Sequence, residues 1–145
     1  MSLRTPAPSA GFSMLELVVA LGVAAVAMTL AATSWQGHVA QQRLRYATAQ
    51  VASDLREAQE RAKADRVAYT VTFTASSSSY AIARSGGGFT ENARLPDGVT
   101  VQASAVVTFT PFGRPDAAHT IVVQNAQGSG TVAVNATGGI TYQEP

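Results

Sequence analysis

Between Glu16 and Arg43 the chain runs for 26 residues without a formal charge. Its first part, LVVALGVAAVAMTLAA from Leu17 to Ala32, is almost wholly apolar. A helix needs about 20 such residues to cross a hydrocarbon core, so the run is long enough to span one. Trp35 falls where an interfacial aromatic residue sits, followed by the polar segment Gln41, Gln42, Arg43 and Arg45. A segment like this has to be covered by lipid or by other apolar helices.

The helical pattern continues past that edge. Leu44, Thr48, Val51, Leu55, Ala58 and Ala62 recur three or four residues apart, while Glu57 with Arg61 and Glu60 with Lys63 are spaced as helix-surface ion pairs. No proline lies between Pro8 and Pro96, so one helix can run from about Phe12 to about Asp65. At 1.5 Å per residue that is on the order of 80 Å, more than a domain of this size requires. After Arg66 the period changes to two, in VAYTVTFT (67–74), SYAIAR (79–84), GVTVQASAVVTFT (98–110), HTIVVQ (119–124), GTVAVNA (130–136) and GITY (139–142). Between these lie the turn-like stretches SSSS, SGGG, LPDG, PFGRPDA and QGSG. The expected fold is α+β: a long N-terminal helix, apolar in its membrane half and amphipathic in its second half, packed on a small antiparallel β-sheet or β-sandwich. The expected divisions are a leader over 1–11, a transmembrane or filament-core helix over 12–40, an amphipathic half over 41–66 and an all-β domain over 67–145.

Composition narrows the function. The 145 residues are 46% hydrophobic and 13% charged, and ten Lys and Arg stand against nine Asp and Glu. One of the ten, Arg4, lies in the proline-containing stretch MSLRTPAPSA that reads as a leader, leaving nine of each sign beyond it. A nucleic-acid binder draws its affinity from a basic surplus, and none is present. There is no cysteine, hence no disulfide, thiol nucleophile or thiolate metal site.

The junction Gly11, Phe12, Ser13, Met14, Leu15, Glu16 places a carboxylate at the start of the apolar run. A carboxylate in lipid costs several kcal/mol unless paired. Cleavage after Gly11 would make the Phe12 amine, a cation about one helical turn from Glu16. The two can pair within a subunit, or between stacked subunits, and only the second pairing drives assembly.

The sequence GFSMLEL followed by an apolar helix resembles the class III signal of type IV pilins and type II secretion pseudopilins. The resemblance implies cleavage after Gly11 by a prepilin peptidase, N-methylation of Phe12 and an assembly role for Glu16. It further implies other pilin subunits and an inner-membrane assembly platform as partners. The location it implies is the inner membrane before assembly, then a periplasmic pseudopilus or surface pilus. Ala47, Leu55, Ala58, Ala62, Phe109, Pro111, Gly113, Gly138 and Ile140 resemble the helix, hairpin and closing strand of the H-type minor pseudopilin and FimT-like minor pilin group. Two features depart from these relatives. The membrane half has no late proline, only Gly22 and Gly37 as helix weakeners, and the C-terminal region reads Gly138, Gly139, Ile140, Thr141 without the cations of a DNA-binding Gly-Arg-x-Arg motif.

Blander readings compete at each point. The apolar run also fits the core of a secretory signal cleaved near Ala32 to Ser34, or a plain signal anchor, although neither gains from Glu16. Glu16 also suits the first turn of any helix through the macrodipole. His38 and His119 have no partner at ligand spacing, and Asp97 and Asp116 sit where aspartate fixes turns, so no metal and no cofactor is expected. SGGG lacks the Lys and Ser/Thr of a phosphate loop, and no elbow frames a catalytic serine, so no enzyme is expected. Arg84, Arg94 and Arg114 are the cations of the β-domain and the candidates for contact with DNA or a secreted substrate, the alternative function.

Overall fold

The computed structural model describes residues 13–145, apart from the side chains of 30–34. A single helix, α1 (Met14–Asp65), opens the described chain, and its 52 residues match the expected extent closely. Ser13 accepts the amide of Leu17 at 3.1 Å, and Glu16 stands in the first turn. Ser13 and Glu16 have the spacing of a capping box, so local helix initiation is one cause of this carboxylate's position. The helix ends at Arg66, whose φ of 54° is left-handed and stops the i→i−4 ladder. The chain divides into two compact units, residues up to Gln36 and Gly37–Pro145.

In the second unit eight strands follow: β1 (Tyr69–Phe73), β2 (Ser79–Arg84), β3 (Thr90–Arg94), β4 (Thr100–Val101), β5 (Ala105–Phe109), β6 (His119–Asn125), β7 (Gly128–Val134) and β8 (Ile140–Gln143). They form two antiparallel four-stranded sheets in the orders β3-β2-β1-β5 and β4-β6-β7-β8. The expected α+β architecture is present, with three differences in detail. The segment 98–110 is two strands, β4 and β5, in different sheets. The segment TENAR is an additional strand, pairing Ala93 with Tyr80 and Glu91 with Ile82. The segment QGSG is not all loop: β7 begins at Gly128, opposite Asn125, leaving a two-residue turn.

Packing explains the arrangement. Leu44, Thr48, Val51, Leu55, Ala58 and Ala62, the predicted stripe, are fully buried, together with Ala47 and Ala52. They share one core with the inward residues of both sheets, among them Val71, Phe73, Val107, Phe109, Ile121, Val123 and Val132. Gly130 on β7 lies directly over Thr48. Polar side chains of the helix then satisfy carbonyls at strand ends and in loops. Gln50 donates to Arg94 O at 3.1 Å, Arg56 to Ile140 O at 3.0 Å, and the Gln59 amide to both Gly113 O (2.7 Å) and Gly138 O (3.0 Å).

Candidate functional site

Gly11 and Phe12 lie outside the described residues. Glu16 is exposed in the first turn of α1. Around it Met14, Leu15, Leu17, Val18, Val19, Leu21, Val23, Val26 and Met28 are all exposed. Successive helical residues turn by about 100°, so the exposed apolar positions 17, 18, 19 and 20 are spread around the whole axis. No face of this stretch is polar. Among the described residues no helix is long and apolar enough to cross a membrane; the span expected over 12–40 draws on Phe12 and on the side chains of 30–34, which are outside the description.

The three candidate arginines separate into two places. Arg84 and Phe109 both pair with Tyr69, so the end of β2 and the end of β5 stand in one row. Arg114 follows β5 in a tight turn and is exposed. Arg94 pairs with Ser79, at the far end of β2, and borders a cleft of about 480 Å³ with Arg43, Tyr46, Gln50 and Asp97. The structure therefore groups Arg84 with Arg114 and sets Arg94 apart. Asp97 and Asp116 both sit at turns. Pro96 O accepts Val99 N–H at 3.1 Å beside Gly98, and Asp116 Oδ1 accepts Thr108 N–H at 3.1 Å and contacts His119 Nε2 at 2.9 Å. Burial would raise the Asp116 pKa, but these hydrogen bonds and the His119 imidazole outweigh it and hold the carboxyl below its usual range. His38 contacts Gln42 at 3.1 Å. Among the described residues no three His, Cys, Asp or Glu side chains are grouped to hold a metal.

No family model and no curated protein matches the sequence. Among solved structures, the type IV minor pilin FimU of Pseudomonas aeruginosa matches with a TM-score of 0.56, covering 70% of this chain and 89% of that one at 15% identity. The chain has a type IV pilin-like fold. In this fold the residues of the expected hairpin and closing strand are structural. Phe109 and Ile140 belong to the core, while Gly113 and Gly138, with φ of 74° and 95°, bring two loops together on Gln59. A Cβ on Gly138 would lie 2.7 Å from Gln59 Nε2 and 3.1 Å from Gly113 O, so glycine is required both by φ and by space.

One half-buried pair escaped the sequence reading. Tyr80 donates a short hydrogen bond to Asp54, and burial is the main cause that raises both pKa values. Asp54 also lies near the like charges of Glu57 and Glu91. A folded-state carboxyl pKa above the unfolded one contributes stability that is full below the unfolded pKa and is lost as pH rises through the folded one. At neutral pH the Asp54 charge is therefore a net cost. Asp54→Asn, whose amide oxygen still accepts from Tyr80, should raise the thermal midpoint at pH 7. That gain should vanish in melts at pH 3, below the ordinary value of 3.8.

Proposed function

We propose that this protein is a structural subunit of a type IV pilus or type II secretion pseudopilus, of the H-type or FimT-like minor group. In this reading a prepilin peptidase cuts after Gly11, Phe12 becomes the methylated terminus, and the apolar start of α1 holds the subunit in the inner membrane until it enters a filament. Glu16 then pairs with a neighbouring subunit's terminal amine, neutralising two charges that would each be costly in an apolar setting. The observation that carries the reading is the apolar half-helix with hydrophobic side chains exposed around its whole circumference, preceded by Gly11-Phe12 and entered by one carboxylate. A soluble monomer does not leave such a surface uncovered. The pilin-like fold of the described chain supports the same assignment, and nothing in the mechanism asks for catalysis by this subunit.

Mass spectrometry of protein extracted from its native membrane tests the reading. The expected terminus is a methylated Phe12; an intact leader, or a terminus near Ser34, rejects it. Glu16→Ala should leave that processed mass unchanged while reducing the amount recovered in sheared filaments at least tenfold. Equal recovery would remove the assembly role of Glu16.

A further inference from the structure

The end of the globular unit that carries the helix C-terminus has the makings of a second contact surface. Arg66 terminates α1, Ser85 N–H binds Ala68 O at 2.8 Å, and Arg84 and Phe109 stand in one row through Tyr69. Two strand spacings set Arg84 and Phe109 about 10 Å apart, so Arg66, Arg84 and Arg114 converge on one end. The carboxylates nearby are each engaged: Glu57 and Glu91 by Arg61, Glu60 by Lys63, Asp65 by Tyr69, and Asp116 by Thr108 and His119. Among the described residues none of the three guanidiniums has an ion partner, and Arg84 Nε is buried without a hydrogen-bond acceptor.

Beside them Phe112 is 84% exposed at the tip of the turn between β5 and β6. The turn is rigid. Thr110 N–H and Oγ1 both donate to Arg114 O at 2.8 and 3.0 Å, Arg114 N–H returns to Thr110 Oγ1 at 3.2 Å, and Gly113 N–H binds Thr110 O at 2.8 Å. Pro111 and Phe112 border an open cleft of about 660 Å³ with Lys63 and Arg66. An aromatic side chain held out on a pre-ordered turn loses little entropy on docking, the property of an interface anchor.

We propose that this end docks a different protein, one presenting an apolar socket for Phe112 ringed by carboxylates that meet Arg66, Arg84 and Arg114. A continuous phosphate backbone fits less well, because Glu60, Asp65 and Asp116 are interleaved with the cations and polyanion affinity grows with the number of phosphates neutralised. A second copy also fits poorly: among its described carboxylates only Glu16 and Asp97 lack an ion-pair or hydrogen-bond partner, too few for three guanidiniums.

The test is photo-crosslinking of the full-length chain in its native cells, with benzoylphenylalanine in place of Phe112. The leader mass, measured on the same sample, reports separately on the proposed function. The expected result is one discrete adduct with another protein, attached beside Asp or Glu. Its yield should fall at least tenfold in Arg66→Glu and in Arg114→Glu, both exposed positions, and stay within twofold in Arg94→Glu. Thermal midpoints equal to that of the parent chain show that these variants fold. An adduct to lipid, nucleic acid or a second copy, no adduct, or a yield indifferent to the charge reversals overturns the proposal.

Discussion

Phe109→Ala should destabilise the globular unit by about 3–5 kcal/mol, whereas Phe112→Ala, three residues on, should change its stability by less than about 0.5 kcal/mol. Phe109 is fully buried. It closes β5 opposite Tyr69 and shares the core with the helix stripe, so truncation removes a ring from water-free surroundings and leaves a cavity that β5, paired to β1 along its length and bridged to Pro115 at this residue, cannot fill. A domain of this size has about 5–15 kcal/mol in all, so the loss is a large fraction of it. Phe112 gives up almost no contact because it makes almost none. Denaturant titration of the full chain in detergent, followed through the β-sheet signal, measures both. Equal costs for the two substitutions would contradict the burial that separates them. The comparison also isolates the docking proposal: a variant at Phe112 that folds normally and loses its partner has lost a contact, not a fold.

The second half of the helix was legible because one physical constraint, burial of a stripe at period 3.6, acts on it. Leu44 to Ala62 obey it without exception. The ion pairs Arg61–Glu57 at 2.6 Å and Lys63–Glu60 at 2.8 Å follow from the same geometry. The division of the strands into two sheets was not legible. Val99, Val101, Val107 and Phe109 are all buried and all of one parity, so the same alternation resumes after the exposed stretch 102–104, although Val101 pairs with Val123 and Val107 with Val71. Period two reports which way a side chain points, not which strand lies beside it. β3 was hidden for the opposite reason. Four of its five residues are exposed and none is fully buried, so it is held as an edge by its pairing to β2 and by the Gln50 and Arg61 side chains of α1. The candidate arginines were visible as residues but not as a group. Only the register through Tyr69 joins Arg84 to the Arg114 turn, and only the end of the helix adds Arg66.

Gly130→Ala should cost about 1–3 kcal/mol, and the cost should be partly recovered by removing Thr48. Gly130 has no left-handed φ, so space alone demands glycine there. An added Cβ would collide with the Thr48 hydroxyl and lie 3.1 Å from both Thr48 Cβ and Cγ2. Thr48 is fully buried on α1, its hydroxyl donating to Leu44 O at 2.9 Å, and both sides of the contact are held, one by the helix and one by the ladder between β6 and β7. Neither can withdraw without lifting Leu44 and Val51 from the core. Thr48→Ala alone should cost about 1 kcal/mol or less, since the Leu44 carbonyl that loses the hydroxyl keeps its helical donor, the Thr48 N–H. In the double variant the hydroxyl and Cγ2 are gone but the Cβ remains, so relief is incomplete, and a coupling of about 0.5–3 kcal/mol is expected between the two sites. Equilibrium unfolding of the four chains of the cycle gives that coupling directly. Strict additivity would mean that helix and sheet are not in contact at Gly130.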